Sequence, residues 1–381
     1  MTTYLDNAAT SWPKPESVYR AMDQFARESM ANPGRSGHKM AKASERILED
    51  ARVLLNRLFQ GDSPDRWAFT LNCTDALNMG IKGIVEPGDH VITTDLEHNS
   101  VSRPLTALEK AGVISLSRIP SDDLGTVDPG DIARAINPKT KLVVMTHASN
   151  VLGTVQDIEA VAKIVREAGA FLLVDAAQTA GVVPINLNAT PIDMLAFPGH
   201  KALMGPPGTG ALYVGPRVKL KAWREGGTGG DSKTPTQPLE FPFFLEGGTP
   251  NIMGIAGLAA GIRWVNEQPA HSVHERENAL AKSLCAGLES LPGVRVLGHQ
   301  DWKRKVATIS FTLEGFEPYD LAGILDSSFD IAIRPGLHCA PYIHGAQNTF
   351  PDGAIRASLG PFNNAEHVEQ LLSALREIVV A

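Results

Sequence analysis

The chain has little cysteine, little aromatic surface, no basic excess and no long apolar run. Its 381 residues include only Cys73, Cys285 and Cys339. Three thiols in a chain of this length cannot knit a disulfide framework, and an odd number leaves at least one free. Aromatics are only 6%, but 43% apolar and 20% charged residues is an ordinary globular mix and excludes wholesale disorder. Lysine and arginine total 35 against 42 acidic residues, a net charge of −7. A global basic field for nucleic acid or anionic lipid is therefore excluded. The longest apolar stretches, such as Leu142–Met145 and Phe171–Val174, fall far below the ~18 residues of a spanning helix. The opening segment from Met1 to Asn7 has neither a basic nor an apolar signal region, and Ile378–Ala381 carries no lipidation signal. The expectation is a soluble, cytoplasmic enzyme, independent of membranes and nucleic acid.

What is present is an alternation. Ile47, Ala51, Leu54, Leu55 and Leu58 mark one face of a helix from about Met40 to Phe59. Short apolar runs follow at Val91–Thr94, Val113–Ser117, Leu142–Thr146 and Phe171–Val174. Helical stretches such as Asp157–Ala168 separate them. Unbroken apolar strands between helices predict a mainly parallel sheet covered on both faces. Beyond Gly257 the pattern becomes helices near Gly257–Asn266 and His274–Ser290, short strands near Val306–Thr312 and Asp330–Ile333, and a last helix Asn364–Val380. This reads as an α/β protein with an N-terminal arm (1–15), a large domain (16–255) and a smaller α+β domain (256–381).

Ligands of open α/β sheets bind beyond the carboxyl ends of strands, and four strand ends here are chemically loaded. Asp175 directly follows Phe171–Val174, where it can pair with a cationic ring nitrogen or simply cap a helix. His147-Ala-Ser-Asn150 follows Leu142–Thr146. Asn72-Cys73-Thr74-Asp75 precedes a helix, and a hydroxyl there suits phosphate, although an ordinary cap looks the same. Lys201 follows the strand-like run Asp193–Pro198 and Gly199-His200, ahead of glycine-rich 205–210. Singly a lysine is surface charge; burial would make it a Schiff-base nucleophile. An aldehyde-binding lysine, a pyridinium-pairing aspartate and a phosphate-binding threonine together are what pyridoxal phosphate requires.

Motifs along the chain carry a resemblance. Asp6-Asn7-Ala8-Ala9-Thr10, Glu97-His98, Ser149-Asn150, Gly153-Thr154, Asp175-Ala-Ala-Gln178, Gly199-His200-Lys201, Gly248-Thr249-Pro250-Asn251 and Arg356-Ala-Ser358 resemble those of class V aminotransferase-fold cysteine desulfurases. Arg334-Pro-Gly-Leu-His338-Cys339-Ala-Pro341 is similar to the short active-site loop of the group II (Suf-type) branch. The resemblance implies the type I fold of pyridoxal-phosphate enzymes. It implies that Lys201 holds the cofactor and moves the Cα proton, that Asp175 keeps the ring nitrogen protonated, that Gln178 meets the ring hydroxyl and that His98 stacks on the ring. Thr74, His200 and the Cys73 turn would take the phosphate, with Thr249 reaching in from the other subunit of a homodimer. Asn150 and Arg356 would hold the substrate carboxylate, with Arg334 among the substrate contacts. Cys339 would take sulfur from L-cysteine as a persulfide, release alanine and pass the sulfur to an acceptor protein, iron–sulfur cluster assembly being one destination.

The chain departs from the pattern at three positions. Pro198 stands where a phosphate-binding Ser or Thr is common, Asn99 where a second His is frequent, and Leu337 where the loop is commonly polar. Among the thiols, Cys285 sits with Leu280, Leu284, Leu288 and Leu291 and reads as core, while Cys73 serves by its backbone N–H. Cys339 has Arg334 and His338 beside it in sequence, and positive neighbours favour a thiolate. No CxxC or HExxH spacing predicts a metal, and no GxGxxG predicts a nicotinamide cofactor. Rival readings are a selenocysteine lyase, a cysteine C–S lyase or an aminotransferase on the same fold, or a catalytically silent scaffold.

Overall fold

The apolar runs form strands buried on both faces, and helices close over them. In the computed structural model, which describes residues 2–34, 37–228, 233–269, 272–298 and 301–380, β1 (Thr3–Tyr4) and helices α1 (Glu16–Glu28) and α2 (Lys39–Phe59) come first. The strands β2 (Trp67–Thr70), β3 (Asp89–Thr94), β4 (Ile114–Ile119), β5 (Thr140–Thr146), β6 (Phe171–Asp175), β7 (Met194–Pro198) and β8 (Gly210–Val214) make one seven-stranded sheet, ordered 2-8-7-6-5-3-4. Between them lie α3 (Cys73–Ile84), α4 (Asn99–Lys110), α5 (Pro129–Ala135) and α6 (Ile158–Glu167). Pairing is parallel from β7 through β6, β5, β3 and β4; β8 alone runs against its neighbours β2 and β7. The expected mainly parallel sheet is therefore present.

Its two faces hold separate cores. Trp67, Phe59, Phe197 and Tyr213 pack ring against ring on one side; Leu77, Val91, Leu173 and Met194 lie on the other. One correction concerns α7. The helix expected at Gly257–Asn266 begins at Ile252, capped by the Asn251 side chain on the Gly254 N–H (3.0 Å), and runs to Glu267. The proposed boundary at residue 255 falls inside it, and its buried side chains from Ile252 to Ile262 join the large sheet's core.

Beyond α7 come α8 (Ser272–Glu289), β9 (Val294–Val296), β10 (Thr308–Leu313), α9 (Pro318–Phe329), β11 (Ile331–Ala332), β12 (Arg334–Gly336), α10 (Pro341–Ala346), β13 (Ala354–Ser358) and α11 (Ala365–Val380). Strands β12, β13, β10 and β9 form an antiparallel sheet in that order. Leu284, Leu288, Phe311 and Leu371 fill a third core with Cys285, as the helical periodicity of Leu284 and Leu288 predicts. The N-terminal arm is tied here: β1 pairs in parallel with β11, and Leu5 joins this core. Among the described residues no helix is long and apolar enough to cross a membrane.

Candidate functional site

Because β2, β3, β5, β6 and β7 share one direction, their carboxyl ends discharge on one edge of the sheet. There a cavity of about 200 Å³ is lined by Cys73, Thr74, His98, Asn150, Asp175, Gln178, His200, Lys201, Arg334 and Arg356. Residues up to 348 positions apart, from Ala8 to Arg356, thus meet around one cavity. Of the expected site residues, Cys339 is placed beside this cavity through Arg334, and Thr249 is elsewhere. Thr249 lines a separate cavity of about 560 Å³ with Arg52 and Glu246.

Asp175 ends β6 fully enclosed. Its hydrogen bonds, from the Ala177 N–H (2.9 Å) and the Cys73 thiol (3.5 Å), both reach Oδ1, and Oδ2 has no partner among the described residues. Burial pushes its carboxyl above the ordinary range, with Lys201 pulling the other way. Such a carboxylate is completed by a cation. Burial likewise pushes Lys201 down from its usual value, opposed by Asp175, so the amine is brought toward its neutral, nucleophilic form. Burial drives the Cys73 thiol well up, which makes it inert. The Gln178 amide donates to the Ala8 carbonyl (3.1 Å), tying the N-terminal arm to the cavity. The chain around Lys201 is held from the same arm: the His200 carbonyl accepts from the Ser11 N–H (3.1 Å) and Lys14 Nζ (2.8 Å).

Two helices begin at the cavity. Asn72 caps α3 by accepting from the Asp75 N–H (2.9 Å), so Thr74 sits in its first turn. His98 caps α4: its Nδ1 accepts from the Ser100 N–H (3.0 Å). That bond assigns the proton to Nε2. Burial, and then the cations Lys201, Arg334 and Arg356, lower the His98 pKa to about 4. An unfolded His takes its proton near ~6.5, so the ring's contribution to stability is present above that pH and is lost as pH falls toward 4. Nitrogen-15 NMR of the cofactor-free protein is expected to show an unprotonated Nδ1 and a midpoint near 4; a midpoint above about 6 would mean the cap does not hold.

The substrate side is built on β12 and β13. Arg356, 1% exposed, donates from Nη2 to Asp6 Oδ1 (2.7 Å) and from Nη1 to the Asn150 carbonyl (3.1 Å). Its Nε is buried with no partner among the described residues, which leaves a donor for a ligand oxygen. The Asn150 amide donates to the His338 carbonyl (2.7 Å), fastening the Cys339 loop to the end of β5. The Asn99 N–H donates to the Cys339 carbonyl (2.6 Å), so the departure at position 99 still supports the loop through its backbone.

Cys339 is half-buried, and Arg334 Nη2 lies 3.9 Å from its Sγ. His338 and Cys339 both adopt left-handed backbone, φ 49° and 58°, a conformation costing on the order of 1–3 kcal/mol each outside glycine. This is a loop over-determined by its anchors. One expectation fails here. His338 is not a cation beside the thiol: buried at the back of the loop, with its Nε2 donating to the Ala354 carbonyl (3.1 Å), it has its pKa lowered to about 2 by burial and neighbouring Arg356. Arg334 alone of the two supplies positive charge.

Gly353 permits this arrangement. At φ +88° a Cβ would lie 2.2 Å from the Gly336 carbonyl, between β12 and β13. Gly353→Ala is expected to lower stability by roughly 3 kcal/mol, read from denaturant midpoints, and to depress turnover by displacing Arg334 and the loop.

Ser100 escaped the sequence reading. Its hydroxyl lines the cavity, 2.7 Å from Thr74 Oγ1 and 2.9 Å from His98 Nδ1. It lies 26 residues from Thr74, and the packing of α3 against α4 brings the two together. Its one visible signal is its place in the first turn after His98. Among the described residues no group of three or more His, Cys, Asp or Glu is arranged to hold a metal.

Comparison with known proteins agrees with this geometry. The model of the aminotransferase class-V family matches residues 3–371. A protein of Methanothermobacter thermautotrophicus named "Probable cysteine desulfurase" is 35% identical, covering 98% of this chain and 94% of its own. A "Cysteine desulfurase" of Shigella flexneri is 31% identical, over 98% of this chain and 93% of its own. The apo structure of a cysteine desulfurase from Thermococcus onnurineus NA1 superposes with a TM-score of 0.93 at 33% identity, covering 100% of this chain and 95% of that one. The cysteine desulfurase CsdA (S-sulfonic acid) from Escherichia coli gives 0.90 at 28% identity, with the same coverage.

Proposed function

Because the chain belongs to the class-V aminotransferase family and is, within it, a cysteine desulfurase, we propose that it converts L-cysteine to L-alanine by capturing the substrate's sulfur on Cys339. The family is pyridoxal-phosphate dependent, and when bound that cofactor supplies an electron sink for charge developing at the substrate Cα. The residues present fit it. Asp175 receives its hydrogen bonds on Oδ1, which leaves Oδ2 for a ring nitrogen, Lys201 has an amine brought toward neutrality, and the α3 N-terminus has free N–H groups and the Thr74 hydroxyl for a phosphate. A buried His200 Nδ1, unpartnered among the described residues, adds one more polar atom there. Gln178 and His98 would flank the ring.

The chain's own groups then divide the work. Lys201 would hold the cofactor through Nζ, and the same amine would take the proton from the substrate Cα. Arg356 and Asn150 orient the substrate carboxylate, with Arg334 beside them. The Cys339 thiolate, beside Arg334, attacks the substrate Sγ. An S–S bond forms as the Cβ–Sγ bond breaks; the electron pair stays on the substrate carbon skeleton, which is protonated and leaves as alanine. The net change is cysteine plus enzyme thiol to alanine plus enzyme persulfide. The observation that carries this reading is Arg334 held 3.9 Å from Cys339 Sγ on a loop anchored to Asn150 and Asn99.

The short Cys339 loop and the likeness to CsdA support placement in the group II branch. We also assign a homodimer, in which Thr249, remote from its own chain's cavity, would complete the phosphate site of the other subunit. A half-buried persulfide loop suits delivery to an acceptor protein in a reducing, cytoplasmic setting, with iron–sulfur cluster assembly as the destination. The test is product analysis with L-cysteine. Equimolar alanine and persulfide are expected; pyruvate with ammonia would identify a C–S lyase, and turnover confined to L-selenocysteine a selenocysteine lyase.

A further inference from the structure

Pro198 ends β7 on the cavity wall and offers neither a hydroxyl nor an N–H. The phosphate end of the site therefore lacks a donor at that position, while a hydroxyl from another element stands beside Thr74. Thr74 and Ser100 each occupy the second residue of a helix, α3 and α4, and their hydroxyl oxygens are 2.7 Å apart. Ser100 is only 8% exposed, yet it borders the cavity. The two helix starts differ in what they have left to give. In α3 the N–H groups of Cys73 and Thr74 have no acceptor within the helix. In α4 the N–H groups are taken: Asn99 donates to the Cys339 carbonyl, Ser100 to His98 Nδ1, and Val101 to the His98 carbonyl. What α4 can offer an anion is the Ser100 hydroxyl. Ser100 Oγ also lies 2.9 Å from His98 Nδ1, whose lone pair already accepts the Ser100 N–H; with Thr74 donating to Ser100 Oγ, the Ser100 proton is the one that can turn to an anion, and both helix dipoles favour a negative group at that point.

We infer that Ser100 is a phosphate-binding residue of this chain, acting with Thr74 and replacing from α4 the hydroxyl that Pro198 cannot provide. The inference rests on the reading of the cavity as a pyridoxal phosphate site. Its mark is dependence on the phosphate: the Ser100 hydroxyl counts toward a phosphorylated cofactor and not toward the same ring without phosphate.

The experiment is a titration of the cofactor-free protein with pyridoxal 5′-phosphate and, in parallel, with pyridoxal, followed by absorbance. Ser100→Ala is expected to raise the dissociation constant for pyridoxal 5′-phosphate about tenfold and to leave that for pyridoxal unchanged. Ser100→Thr, which keeps the hydroxyl, should stay within about threefold of the parent. Ser100→Ala/Pro198→Ser should recover most of the loss by returning a hydroxyl from β7. Equal weakening for both ligands would overturn the inference, since Ser100 would then act on the ring through His98. No weakening for either would overturn it as well, and so would a double variant no better than Ser100→Ala. Failure of the underlying reading looks different: the parent protein itself would bind neither ligand, or would give an absorbance change that survives Lys201→Ala.

Discussion

Cys339→Ala is expected to abolish persulfide formation and to cut alanine release from L-cysteine by at least roughly 10³-fold while the bound cofactor keeps its spectrum. The expectation follows from placement. Cys73 is enclosed, bonded to Asp175 and inert through burial. Cys285 is packed with Leu284 and Leu288 and donates to Glu289 Oε1 (3.7 Å) within its own helix. Cys73 lines the cavity but burial holds its thiol protonated, and Cys285 lies in a different core. Cys339 has a half-buried thiol beside Arg334, on a loop held by Asn99 and Asn150. Alanine has about the same backbone preference as cysteine, so the left-handed residue keeps its cost and the fold should not change. Mass spectrometry of enzyme quenched during turnover reads the result directly, as one sulfur atom added to the Cys339 peptide. Alanine released at the parent rate by the variant would remove Cys339 from the mechanism.

Arg356→Ala is the second large effect, and it has two parts. The side chain is almost wholly enclosed and pairs with Asp6 at 2.7 Å, itself 23% exposed. Deleting it leaves a carboxylate that is mostly removed from water and unpaired, and strips a donor from the Asn150 carbonyl. Breaking a buried pair from one side costs about 3–5 kcal/mol; the partial exposure of Asp6 puts the loss here nearer the lower figure. The functional part is loss of a guanidinium contact to the substrate carboxylate, expected to lower kcat/KM for L-cysteine by roughly 10²–10³-fold, largely through KM. Arg356→Lys separates the two. It retains charge for Asp6 and should recover much of the stability, but a single ammonium cannot serve Asp6, Asn150 and a substrate together, so KM should remain high. A lysine variant with parent KM would show that Arg356 is a structural residue alone.

The chemistry of these positions was legible in the sequence to different depths. Lys201, Asp175 and Thr74 could be named because each follows an apolar run, and the end of a buried parallel strand is where a sheet presents polar groups. The helix at Asn364–Val380 was predicted within a residue of the observed Ala365–Val380, because apolar periodicity is a local property. The start of α7 was missed: Asn251 caps it through its own side chain, and the small residues from Gly254 to Gly261 hide the helical period. His338 was misread for a related reason. Adjacency in sequence to Cys339 suggested a cation, whereas the left-handed turn at 338–339 sends the ring to the Ala354 carbonyl and into the protein's interior, where an imidazole stays neutral.

The residue types and their order along the chain determined the sheet and its loaded edge, and set Arg334 five residues before Cys339, because strand burial and helix periodicity are written into neighbouring residues. Tertiary structure decided what the scarce cysteines mean. Desolvation silences Cys73, packing absorbs Cys285, and a strained loop brings Cys339 to Arg334. It also decided that Ser100 meets Thr74 across 26 residues. Distances between groups far apart in sequence, and the water taken from around them, come into being only when the strands take their order. Pairing, proton affinity and reactivity depend on those two quantities.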